Sequence, residues 1–202
     1  MGSEGSRSWR DVVFKNRGAL LAVPAVALAL FGRPSRASVA LGVPLAFAGE
    51  ALRCWAVGYS GVTTRADHVT APQLVTAGPY ARVRNPLYVG NFITALGFTL
   101  AFTGAVPALT RTAVALVSLG TVAGIYTAIV PLEEAYLRET FGTAFEAYVA
   151  QVPRLLPLTS PAGSQVGAYD AAVIVRAESS TFVTFGAMLV ALFVRMYAAK
   201  TP

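Results

Sequence analysis

Two clusters of polar and ionisable residues interrupt an otherwise apolar chain. Residues 74–90 read Leu-Val-Thr-Ala-Gly-Pro-Tyr-Ala-Arg-Val-Arg-Asn-Pro-Leu-Tyr-Val-Gly, and the pair Glu133-Glu134 follows one apolar hairpin later. Charged groups and cramped Gly/Pro turns are costly beside hydrocarbon, so two such clusters facing one compartment mark a site. Gly78 permits a positive φ and a close approach, and Pro79 fixes the exit of the turn; Tyr80 reads equally well as an interfacial anchor. Arg82 and Arg84 flank Val83, so in an extended segment both point the same way, either to hold a phosphate or carboxylate or to obey the positive-inside rule. Asn85-Pro86 suits a helix N-cap and first turn, which brings the Tyr88 hydroxyl and the open space at Gly90 into the opening turns. Free N–H groups at such a helix start also suit a carboxylate ligand.

Glu133 and Glu134 are about 100° apart on a helix. Glu134 can pair with Arg138 at i+4, which leaves Glu133 unexplained by local structure and therefore the stronger site candidate. Glu50 and Arg53, spaced i, i+3, read as a structural pair that neutralises itself inside the bundle. His68, the single histidine, follows Asp67 in a loop where it can act as a base or simply be solvated. With one histidine and one cysteine, Cys54, the sequence offers neither a metal set nor an intrachain disulfide.

The elements that must position these residues are apolar helices. The chain has 202 residues, 55% of them hydrophobic and 13% charged, with a mean hydropathy of +0.58. That balance excludes an ordinary soluble domain and a disordered chain. Because about 20 apolar residues cross a bilayer, the reading is an all-α integral membrane protein with about five transmembrane helices. The spans fall at Gly18–Phe31, Ala37–Tyr59, Pro86–Val106, Thr112–Val130 and Ala177–Tyr197, the last extended backward through Ala171–Val175. Leu132–Val152 is amphipathic, with Phe141, Phe145, Tyr148, Val149 and Val152 at helical spacing and Gly142 as a break; it reads as an interfacial helix closing the site from below. Gly120 and Gly124 form a small-xxx-small pair that invites a close helix neighbour. One membrane domain is expected over residues 1–202, made of the first two spans (18–59), a core (60–157) and a linker with an additional span (158–202), the linker centred on Ser160–Gln165.

The net charge is +6 and the pI about 9.8. The arginines lie between apolar runs, where anionic headgroups sit, and form no basic stripe, so nucleic acid is not an expected partner. Arg7, Arg10, Lys15 and Arg17 precede a long apolar run without a small-residue cleavage site, which argues against a cleaved signal. With Arg65, Arg82, Arg84, Arg138 and Arg154 they make nine basic residues on one side, against Arg33, Arg36, Arg111, Arg195 and Lys200 on the other. The positive-inside rule therefore puts the N-terminus and both polar clusters in the cytoplasm.

Taken together, Leu74–Gly90 and the run Glu-Glu, Phe-Gly, Tyr and Val-Pro-Arg over Glu133–Arg154 resemble the membrane methyltransferases that include isoprenylcysteine carboxyl methyltransferases and phospholipid N-methyltransferases. The resemblance covers roughly residues 60–157. It implies a helical enzyme that binds S-adenosyl-L-methionine from the cytosol and methylates, on N or O, a lipophilic acceptor entering from the bilayer. By position it puts cofactor contacts on Pro72, Gln73, Leu74, Val75, Tyr80, Asn85, Pro86, Leu87, Tyr88 and Glu133; the reading of the residues had already marked Tyr80, Tyr88, Gly90 and Glu133. The chain departs from the carboxyl methyltransferases at two places, with Asn85 where they carry histidine and Ile129 where they carry an arginine for the substrate carboxylate. Arg84 or Arg138 would have to replace that arginine, and Asn-Pro looks more like the phospholipid enzymes.

The expected chemistry is direct displacement of the methyl group, with Glu133 on the cofactor and His68 or Glu134 as base for an amine acceptor. Two alternatives stay open: an NADPH-dependent sterol-type reductase, whose arginine-proline-tyrosine stretch looks similar, and a non-catalytic scaffold of the same fold.

Overall fold

A computed structural model of the chain describes residues 9–61, 71–158 and 165–198. Arg7, Arg65, Asp67, His68 and most of the Ser160–Gln165 linker lie outside the described residues. Among the described residues six α-helices follow one another: α1 Trp9–Phe31, α2 Arg36–Ser60, α3 Pro86–Phe102, α4 Ala108–Phe141, α5 Thr143–Gln151 and α6 Ala172–Ala198. Four of them are long and apolar enough to cross a bilayer, and α3 is a shorter apolar helix of 17 residues. The expected all-helical membrane architecture is what the chain adopts.

The bundle is apolar outside and polar at chosen points inside. Val23, Phe31, Leu41, Leu109, Leu116, Val183 and Phe193 are exposed, as befits side chains that meet lipid, whereas Glu50, Glu134 and Glu178 are buried. Centrally, α2 and α3 pack backbone to backbone. A Cβ on Gly97 would sit 2.4 Å from the Ala46 amide nitrogen, and one on Gly49 would sit 2.5 Å from that of Thr94. Small residues on both helices make this approach possible where no aqueous hydrophobic effect drives helices together. The cores flanking this seam are Leu28, Phe98, Phe102, Phe185 and Met188 on the α6 side, and Phe14, Ile125, Tyr126 and Ile129 on the α1–α4 side.

Local chemistry sets the helix ends. Ser35 and Ser38 form a reciprocal capping box that opens α2. The third helix ends at Phe102, four residues short of the expected Val106, because Gly104 and Pro107 follow and the carbonyls of Thr103, Gly104 and Val106 turn to the Arg111 guanidinium. The fourth helix differs more. It runs 34 residues through Pro131, about 51 Å at 1.5 Å per residue, and so outreaches a hydrocarbon core of about 30 Å. Leu132–Phe141 is therefore the protruding end of α4 and not the start of a separate amphipathic helix. The break does come at Gly142, whose φ is +51°, and α5 then folds back. Among the described residues the expected close neighbour of Gly120 and Gly124 is not there: nothing comes within 4 Å of a Cβ placed on either.

Candidate functional site

The protruding end of α4, the first turn of α3 and the 71–81 segment enclose a cavity of about 520 Å³. The turn Gly78–Ala81 is a single 3-10 turn with Gly78 at φ +61°, where a Cβ would strike the Tyr59 ring at 2.2 Å. Because that turn leaves Arg82 in a helical conformation, Arg82 and Arg84 do not point the same way: Arg82 is exposed and Arg84 is turned inward. Pro86 starts α3, and the Asn85 carbonyl accepts the amides of Tyr88 and Val89. The Asn85 side chain does not cap the helix as expected; its amide donates instead to the Arg154 carbonyl at 3.2 Å.

That bond is one of several that join the two sequence clusters. The Arg84 amide donates to the Pro153 carbonyl at 2.9 Å, and the Asn85 amide to that of Arg154 at 3.2 Å. Beneath them the Glu134 carboxylate accepts from Arg84 and Arg154 together, Arg84 approaching to 3.0 Å. The expected Glu134–Arg138 pair is absent, since Arg138 faces Glu146 on α5. Apolar residues finish the closure: Phe145, Tyr148 and Val152 pack with Leu74, Leu137, Phe141 and Val149, so the amphipathic pattern does seal the cavity from one side.

Inside, the Tyr88 hydroxyl donates to the Glu133 carboxylate at 2.5 Å, and the Tyr88 ring packs on Tyr126 with centroids 4.3 Å apart. Tyr148 donates to the Tyr80 carbonyl at 2.7 Å. Burial pushes the phenols of Tyr80 and Tyr148 well above the ordinary tyrosine range, so both stay protonated.

Of the residues expected to contact a cofactor, Pro72, Gln73, Leu74, Val75, Tyr80, Asn85, Pro86, Leu87, Tyr88 and Glu133 all line this cavity. Gly90 does not. It sits in the α2–α3 seam, where a Cβ would meet the Gly49 carbonyl at 2.8 Å. Arg84 reaches the wall with its guanidinium already on Glu134, and Glu134 lies behind that wall.

The sequence reading missed part of the lining: Phe14 and Arg17 of α1, Arg53 of α2, Asn91 of α3 and Tyr126 of α4. The signal for Arg53 was its charge within an apolar run, but it was assigned to Glu50. In the structure it turns to Glu178 of α6 at 2.7 Å and to Asn91. Arg17 is indistinguishable by type from an ordinary positive-inside residue.

Comparison with known proteins gives this geometry a lineage. The sequence model of the phospholipid methyltransferase family matches residues 37–144, which takes in α2, α3, α4 and the loop between α2 and α3. The protein-S-isoprenylcysteine O-methyltransferase of Schizosaccharomyces pombe is 40% identical over 92 residues, 46% of this chain and 34% of that protein. The match thus spans about a third of the length of the curated relative. No solved structure matches the chain. The first helix and α6 lie outside the family match, and so does nearly all of α5. Since the match covers just over half of the 202 residues and contains both sides of the Tyr88–Glu133 contact, this chain belongs to the phospholipid methyltransferase family.

Proposed function

We propose that the chain is an S-adenosyl-L-methionine-dependent methyltransferase that acts on the N or O of a lipophilic acceptor drawn from the bilayer. The observation that carries this reading is the convergence of residues 72–75, residues 85–88 and Glu133 on one cavity. Family membership favours methyl transfer over the reductase alternative.

The residues present fit such a cofactor. Its volume places the cavity within the range of about 300–1,000 Å³ that encloses small ligands. Glu133 offers a carboxylate for cationic or hydroxyl groups, and the paired Tyr88 and Tyr126 rings offer an aromatic wall. Leu74 and Val75 line the same cavity. When bound, S-adenosyl-L-methionine supplies a methyl carbon activated by its sulfonium charge. The protein's own part is alignment and exclusion of water: Tyr148 and Leu137 close the cavity where α5 folds back.

An amine acceptor must lose a proton before it attacks. His68 is the proposed base, three residues before the cavity-lining Ala71, because both oxygens of Glu134 already accept from arginine. A carboxylate acceptor needs no base. Such an acceptor finds no arginine at position 129, since Ile129 is completely buried in the α1–α4 core. Basic residues on the same side as the cavity support a cytoplasmic opening.

Labelled-methyl transfer from S-adenosyl-L-methionine into a total lipid extract tests the function. Label in a lipid fraction is the expected result; cofactor binding with no transfer would instead identify a scaffold.

A further inference from the structure

Among the described residues the charged side chains lining the first cavity are Lys15, Arg17, Arg53, Arg84 and Glu133. Four cations against one carboxylate make a poor setting for a sulfonium, itself a cation. Lys15 is exposed, where water and salt screen it, and Arg17 is partly exposed and donates to the Phe14 carbonyl at 2.6 Å. Arg53 and Arg84 differ: their side chains are only 14% and 10% exposed, so little screens them.

An acid meets each of these two arginines from outside the cavity. Glu134 takes Arg84, and Glu178 of α6 takes Arg53, both its oxygens accepting from one terminal nitrogen at 2.7 Å. The other terminal nitrogen donates to Asn91, whose amide donates to the Tyr126 hydroxyl at 2.7 Å. Glu178 is completely buried and does not itself line the cavity. It comes from a helix outside the family match, 125 residues along the chain from Arg53. The Arg53 charge also acts on the Tyr80 phenol, so its field reaches the cavity beyond Asn91. Glu50, buried one turn before Arg53 on α2, is the other acid near this guanidinium in sequence.

We propose that Glu178 is a positioning residue of the donor site: by holding and neutralising Arg53 in the wall, it keeps the cavity receptive to a cationic sulfonium relative to the neutral thioether left after transfer. The inference rests on the reading of the first cavity as the methyl-donor site. The donor carries a charge that its product lacks, because the electron pair of the broken carbon–sulfur bond stays on sulfur. An Arg53 unopposed from α6 therefore repels the donor and not the product.

The test titrates the full chain in detergent with S-adenosyl-L-methionine and with S-adenosyl-L-homocysteine, and reads the ratio of the first Kd to the second. A distorted cavity weakens both ligands together, whereas a change of charge moves the ratio. Glu178→Gln keeps the shape and one acceptor, and should raise the ratio at least about tenfold, or 1.4 kcal/mol. Glu178→Asp should stay within about threefold of wild type, and so should Arg53→Met with Glu178→Met, which replaces the whole pair by apolar side chains. Asn91→Asp puts an acid on the other side of Arg53 and should lower the ratio at least about threefold; it decides the matter should Glu178→Gln fail to fold. A ratio unmoved by Glu178→Gln, or by Asn91→Asp in its place, would overturn the proposal. So would a ratio moved by Glu50→Gln in place of Glu178→Gln, or a double variant as altered as the single one. Arg53 serving the carboxylate common to both ligands would shift the two affinities together, leave the ratio unmoved and so also overturn it. A wild-type chain that binds neither ligand would instead sink the donor-site reading.

Discussion

Tyr88 and Glu133, 45 residues apart in sequence, meet through a hydrogen bond from phenol to carboxylate where the first turn of α3 faces the protruding end of α4. That contact depends on α4 running through Pro131 without a break. A helix ending at Val130 would leave Glu133 in a loop with no fixed direction.

Tyr88→Phe removes the hydroxyl but keeps the ring on Tyr126. The expected outcome is a small stability loss, about 1 kcal/mol for one hydrogen bond, with S-adenosyl-L-methionine affinity reduced less than in a variant lacking the Glu133 charge. Chemical denaturation in detergent and isothermal titration measure the two separately.

Glu134 distinguishes a clamp from a base. Its side chain is largely buried between Arg84 and Arg154, so Glu134→Gln should destabilise the fold by about 3 kcal/mol, the cost of breaking a buried pair. Arg154 is half exposed, and Arg154→Ala should cost under about 1 kcal/mol. A Glu134→Gln protein of unchanged stability that binds cofactor yet transfers no methyl would restore the base role.

Gly97 in the α2–α3 seam and Gly124 on α4 should respond oppositely to alanine. Gly97→Ala drives a Cβ into the Ala46 backbone and should cost about 1–3 kcal/mol, as overpacking does. Gly124→Ala meets nothing within 4 Å and should stabilise α4 by about 0.5–1 kcal/mol. Thermal unfolding in one detergent compares them.

Ile129→Arg does not install a carboxylate site. The side chain is completely buried among Phe14, Ile125 and Tyr126, so a guanidinium there lacks water, and the acid one turn away, Glu133, already accepts from Tyr88. Loss of folded protein, measured by size-exclusion yield, is expected, with no gain of activity toward a carboxylate acceptor.

Much of this arrangement was legible in the sequence because hydrocarbon makes polar residues conspicuous. The 74–90 cluster and Glu133 stand out by type alone, and both line the first cavity. What failed was the choice of partners. Glu134–Arg138 and Glu50–Arg53 satisfy helical spacing, but Arg84 and Glu178 arrive from elements 50 and 125 residues away and win by burial. Gly90 was read as room for a ligand, yet the same missing Cβ serves helix contact equally well. The sequence suggests a fourth span that ends at Val130, yet α4 passes through Pro131 because packing on both sides outweighs one lost amide.

Binding of S-adenosyl-L-methionine to the wild-type chain and to Glu133→Gln, measured by isothermal titration in the same detergent, tests the central claim most directly. The single cavity of Tyr88 and Glu133 predicts saturable one-to-one binding that weakens by at least about tenfold in the variant, the scale of one lost charge-assisted hydrogen bond. Equal affinity in the two proteins, each folded, would contradict it.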